Sequence, residues 1–128
     1  MYWRGIMHDM SKFRLFSEFI PYAKYFFGND ESHRVKQAFK IAFLTHQNRN
    51  PHHWQFWTTI DSEGKQKVMD MPEIYIKEMI NDWRAAGKAK GTADGSISGA
   101  RSYYLSNRDR IVINSETRRI VEQILEVQ

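Results

Sequence analysis

Five histidines and a few carboxylates hold most of the chemistry this sequence can do. His8 and Asp9 stand side by side near the N-terminus. His46 ends a long segment of helical apolar spacing, and His52 and His53 follow six and seven residues later, across Pro51. A carboxylate beside an imidazole offers one oxygen and one nitrogen donor, a mixture that suits Mn, Fe, Zn, Ni or a similar divalent ion. Asp9 could bridge two such ions at the ~3.5–4 Å separation of paired-metal hydrolases. Asp82 is a further carboxylate candidate, at the edge of an apolar arc beside Tyr75, Met79 and Ala86. Lys12 follows one helical turn beyond His8, and Arg49 lies between His46 and His52. Cysteine is absent, which excludes disulfides, thiolate metal sites and a cysteine nucleophile.

Each of these residues also has a plainer role. His46 continues the stripe of Phe39 and Phe43, so it points into a core, where a backbone carbonyl serves an imidazole as well as a metal does. Adjacent histidines such as His52 and His53 are unremarkable on a surface loop. Asp9 and Asp82 read equally as solvated helix carboxylates, and Lys12 and Arg49 as surface charge. His33 sits beside Arg34 and Lys36 in a solvated neighbourhood and is not a ligand candidate.

The elements that must position these groups are mostly helices. Trp3, Ile6, Met7 and Met10 have helical spacing over residues 2–12. A short helix starts near Pro21 and stops at Gly28. Asp30 or Ser32 caps the next, which carries Val35, Ala38, Phe39, Ala42, Phe43 and His46 inward and ends by Asn50, ahead of Pro51. Residues 56–70 read as a small hairpin turning at Ser62-Glu63-Gly64. Pro72 and Glu73 open an amphipathic helix that stops at Gly87. Four glycines in the segment 87–99 make it a flexible connection. A helix over 99–108, an extended Ile111–Ile113 and a last helix capped by Ser115 complete the chain. The fold class expected is mainly α, a helical bundle with one small β-hairpin excursion.

Composition narrows the partners. The chain has 128 residues, 41% hydrophobic and 27% charged, which fits one soluble globular domain. No apolar run approaches a membrane span and no signal peptide is apparent, so a cytoplasmic location without membrane contact is expected. The net charge of +4 comes from 19 basic and 15 acidic residues interleaved along the chain. A nucleic-acid binder concentrates its basic residues on one face, so nucleic acid finds little support as a partner. Aromatic residues reach 14%, most of them before residue 58, and imply a core of large rings or an open aromatic surface.

The order of residues resembles known families at two levels. His8-Asp9-Met10-Ser11-Lys12 resembles the doublet motif of the HD-domain superfamily of metal-dependent phosphohydrolases. Those proteins are helical bundles that gather a histidine, the His-Asp pair and a late helical aspartate around one metal, with additional histidines in two-metal branches. His46, His52, His53 and Asp82 fall in that order. The whole chain is also similar to a small family of phage and bacterial proteins with no assigned activity. That likeness rests on the His-Asp-x-Ser-Lys-Phe start, the run from His46 to Trp57, Met71-Pro72-Glu73, Asn81-Asp82-Trp83 and Glu116-Thr117-Arg118.

The first resemblance implies a single HD-like domain over residues 1–128 and a metal-dependent phosphohydrolase acting on a nucleotide or related small phosphate ester. His8, Asp9, His46, one or both of His52 and His53, and Asp82 would hold one or two ions of Mn, Fe, Zn, Ni, Co or Mg. Lys12 and Arg49 would then face the substrate. The alternative is a non-catalytic module that binds a protein or nucleic acid through its aromatics and basic excess, with a vestigial or structural metal site.

Overall fold

Proline and glycine set the limits of the first helix described in the computed structural model, which describes residues 20–28 and 32–127. Two compact units divide the chain, residues 1–51 and 52–128. The helix expected over 2–12, with His8, Asp9 and Lys12, lies outside the described residues.

In the first unit, α1 spans Ile20–Phe27, with Pro21 in its first turn, where a missing N–H costs nothing. It closes where the Gly28 N–H donates to the Lys24 carbonyl at 3.1 Å. Helix α2 spans His33–Arg49. Its N-cap is Ser32, whose hydroxyl accepts from the Val35 N–H at 3.4 Å. The helix ends at Asn50, which turns to extended backbone (φ −113°, ψ 114°) as the residue before a proline must. Tyr25 of α1 stacks on Phe39 of α2 at 4.2 Å between ring centroids. The stripe differs from the sequence reading in one respect. Val35, Ala42 and His46 are buried, whereas Phe43 is 40% exposed and rests against Phe39 at the surface.

In the second unit, a short 3-10 helix at Trp54–Trp57 leads into a hairpin of β1 (Thr58–Ile60) and β2 (Gln66–Val68). The strands are antiparallel, with Thr58 opposite Val68 and Ile60 opposite Gln66. Asp61 holds the turn, its carboxylate accepting from the Glu63 and Lys65 N–H groups at 2.9 and 2.8 Å. Gly64 takes the left-handed conformation the turn requires, at φ 79°.

Three helices follow: α3 (Glu73–Ala89), α4 (Ile97–Asn107) and α5 (Ser115–Leu125), with a 3-10 turn at Arg108–Arg110. Their apolar faces meet in one core of Ile76, Met79 and Ile80 from α3, Ala100 and Tyr104 from α4, and Val121 and Leu125 from α5. Trp83 lies over Tyr103 and Tyr104, with centroids 5.3 and 6.2 Å away. Helix α3 runs two residues past Gly87. The glycine-rich connection after it is closely packed: a Cβ at Gly99 would stand 2.8 Å from the Ala93 methyl. Arg84 Nε also donates to the Gly95 carbonyl at 2.8 Å, tying the connection to α3.

Asn114, rather than Ser115, caps α5, its side-chain oxygen accepting from the Thr117 N–H at 2.9 Å. The chain is mainly helical with a small two-stranded antiparallel sheet, as the periodicity predicts. None of the described helices is long and apolar enough to cross a membrane.

Candidate metal centre

Helical periodicity carries His46 to a buried position. It lies four residues after Ala42 and eleven after Val35, spacings that keep all three on one face of α2. Pro51 then breaks the helix, and the chain turns through His52 and His53 before the 3-10 helix begins at Trp54. The three imidazoles therefore come from eight consecutive residues, and the backbone of that short segment brings them together.

One ligand nitrogen from each of His46, His52 and His53 lies within 4.8 Å of the other two. His46 is 1% exposed and His52 2%, while His53 is half-buried. The Nε2 atoms of all three are shielded from solvent. The His52 and His53 rings lie 4.3 Å apart at a 42° tilt. Neutral imidazole is a common ligand for borderline metals, and a buried imidazole that stays neutral avoids the cost of burying charge. The triad could bind a metal ion.

A fourth residue belongs to this segment. Asn50 is buried, and its side-chain amide nitrogen donates to the His46 carbonyl at 2.7 Å and lies 3.0 Å from His46 Nδ1. Sequence reasoning passed over Asn50 because it reads as an ordinary helix terminator before proline. Its spacing of four from His46 is the available signal, since an asparagine at a helix end reaches back one turn.

The other candidates are placed as follows. Arg49 is the exposed last residue of α2, three residues beyond His46. Asp82 is half-buried on α3, where burial and then the Asp82 charge push the Tyr103 phenol above its ordinary pKa. It does not join the group whose ligand atoms converge. His33 is exposed at the first position of α2, as its neighbours predict. His8, Asp9 and Lys12 lie outside the described residues.

The chain belongs to the family of unknown function DUF5662, whose model matches residues 1–127. No curated protein and no solved structure matches it.

Proposed function

We propose that this protein binds a divalent metal ion through His46, His52 and His53 and uses it to hydrolyse a small phosphate ester such as a nucleotide. The convergence of three imidazole nitrogens within 4.8 Å, two of the rings being fully buried, carries the metal half of the reading. An all-nitrogen donor set favours Zn, Ni, Co or Fe over Mg and Ca, which prefer oxygen ligands. Three protein ligands leave room for water or substrate, the arrangement of catalytic rather than structural zinc sites. A metal held there supplies Lewis acidity toward a phosphoryl oxygen and lowers the pKa of water to near neutrality.

The phosphoester half rests on the likeness of His8-Asp9-x-Ser-Lys12 to the HD-type doublet, with Asp9 and Asp82 as further oxygen donors for one ion or a second. Arg49, one turn beyond His46, would take the phosphate oxygens bidentately. Lys12 would hold the same charge as a point contact, since an ammonium has donors and no acceptor. A cytoplasmic setting suits such a substrate.

Elemental analysis of the purified protein tests the centre. His46→Ala and His52→Ala should lose bound metal, and His33→Ala should keep it. Equal metal in all three variants would sink the site. A phosphatase screen on nucleotides with added Zn, Ni, Co, Mn and Mg tests the activity. Lys12→Ala should slow turnover by about 10- to 100-fold with metal content unchanged, equivalent to roughly 1.4–2.7 kcal/mol of transition-state stabilisation.

A second reading has its own observation. Ile41 and Leu44, one turn apart on α2, are each 58% exposed and Phe27 of α1 is 88% exposed, large apolar side chains of the kind a protein-binding module presents. Under that reading the metal is structural, and loaded protein would hydrolyse none of the substrates.

A further inference from the structure

We infer that Asn50 gates the triad: it holds the His46 ring in a tautomer that disfavours metal, so loading requires the Asn50 side chain to move. The inference rests on the metal reading above and concerns how that site is controlled.

The orientation of the amide follows from its shorter contact. The His46 carbonyl oxygen only accepts, so the Asn50 group 2.7 Å from it is the NH2. The same nitrogen lies 3.0 Å from His46 Nδ1, within reach of its second hydrogen when Nδ1 carries no proton. An N–H at Nδ1 would meet this donor head-on, so Nδ1 accepts. A neutral ring then carries its single proton on Nε2, the solvent-shielded nitrogen.

Ligation uses a nitrogen lone pair, and neither nitrogen of His46 offers one in this arrangement. At Nε2 the position is taken by the proton. At Nδ1 the lone pair is taken by Asn50. A metal entering through Nε2 needs the proton moved to Nδ1, which the NH2 group opposes. A metal entering through Nδ1 displaces the amide directly. Either route breaks a buried hydrogen bond whose strength the low local dielectric increases.

The contact is particular to this position. Asn48 and Asn107 make the same backward bond, to the Leu44 and Tyr103 carbonyls at 2.8 Å, but there the residue one turn back has no ring nitrogen to engage. Metal-ligating histidines ordinarily donate their other N–H to a carboxylate or carbonyl, which fixes the productive tautomer. Asn50 presents the opposite polarity. Asp at this position would present the usual one.

Two measurements on the full chain decide the matter. A long-range proton–nitrogen correlation spectrum of the metal-free wild type, with the His46 signals assigned by their loss in His46→Gln, should show Nε2–H and an unprotonated Nδ1. The reverse tautomer would overturn the inference whether or not metal binds. Zinc titration followed by calorimetry should then show Asn50→Asp binding about 10- to 100-fold tighter than wild type, the range typical of outer-shell changes. Asn50→Ala, which removes the donor without adding an acceptor, should fall between them. Wild type equal to or tighter than both folded variants would overturn the gate while leaving the metal centre standing. Zinc bound by none of the three would overturn the metal centre, and the spectrum would still decide the tautomer.

Discussion

The two units of this chain bury different kinds of residue. Among the described residues of the first, Val35 and Ala42 share the interior with His46 and Asn50. The second closes around Met71, Ile76, Met79, Ile80, Ala100, Tyr104, Ile111, Val121 and Leu125, with His52 and Thr117 as the buried polar residues among those described. Thr117 is satisfied there by the Met71 N–H, which donates to its hydroxyl at 3.1 Å. Burying an imidazole and an amide gains less than burying the same area of apolar surface. The apolar core of α3, α4 and α5 is arranged for stability, while the segment from His46 to His53 gives up stability for groups that can do chemistry. Differences of this kind are expected where a site is built, because local consistency is relaxed there.

The largest effect separating the two should come from the apolar core. Ile76 is completely buried on α3, and Ile76→Ala should cost about 2–5 kcal/mol through lost transfer energy and the cavity left behind. Thermal or urea unfolding followed by circular dichroism measures this. A loss under about 1 kcal/mol would mean that this core is not what holds the helices together.

Metal removal probes the histidine segment in the same units. An ion bound only to the folded state stabilises it by about 3 kcal/mol when free metal exceeds Kd a hundredfold. A chelator should therefore lower the Tm of the metal-loaded wild type and leave that of His46→Ala unchanged. Equal Tm with and without chelator would reduce the histidine segment to a structural polar cluster.

Tyr104 gives a smaller, pH-dependent contrast. Its hydroxyl donates to Glu122 at 2.7 Å and accepts from Arg118 at 2.9 Å, inside the core face of α4. Glu122 is also paired with Arg108 at 3.1 Å, and Arg118 also donates to the Ile111 carbonyl at 3.1 Å, so both keep a partner in Tyr104→Phe. The variant should lose about 1–2 kcal/mol, the cost of a hydrogen bond to charged groups less the retained contacts. Burial first, and then the hydrogen bond to Glu122, push the Tyr104 phenol above its ordinary 10, against the lowering influence of Arg118. A raised folded pKa contributes stability that is fully present below the unfolded value and lost as pH rises through the folded one. Wild type should weaken above about pH 10 by more than Tyr104→Phe does, and parallel alkaline curves would remove Tyr104 from that account.

The smallest effect should appear in acid. Hydrogen bonds hold three exposed carboxyls of the second unit below their ordinary pKa: Lys77 acts on Glu73, Ser96 on Asp94 and Arg119 on Glu116. Lowered folded values contribute stability present above the unfolded pKa and lost as pH falls through the folded one. Stability should therefore decline modestly below about pH 4, and added salt should shrink the part due to Lys77 and Arg119. A decline unaffected by salt would place its origin elsewhere.

Much of the local structure was determined by sequence alone. Pro21 and Gly28 bound α1, Pro51 ends α2, Asp61 and Gly64 turn the hairpin, and Pro72 opens α3, because each acts through its own backbone torsions or hydrogen bonds. The spacing of His46, His52 and His53 across a proline was equally legible, since three rings within eight residues need only one helix end and one turn. Tertiary structure decided the rest. It left Phe43 exposed although Phe43 shares the spacing of the buried stripe, because the neighbours a helix meets decide how wide a face is covered. It packed the glycine-rich connection against α3 through Arg84 and through the fit of Ala93 to Gly99, contacts between positions that sequence order does not relate. It also gave Asn50 its second partner. A helix-ending asparagine is a local device, but only the rotamer fixed by burial aims its amide at the ring of His46, where the placement of a single proton bears on whether a metal can enter.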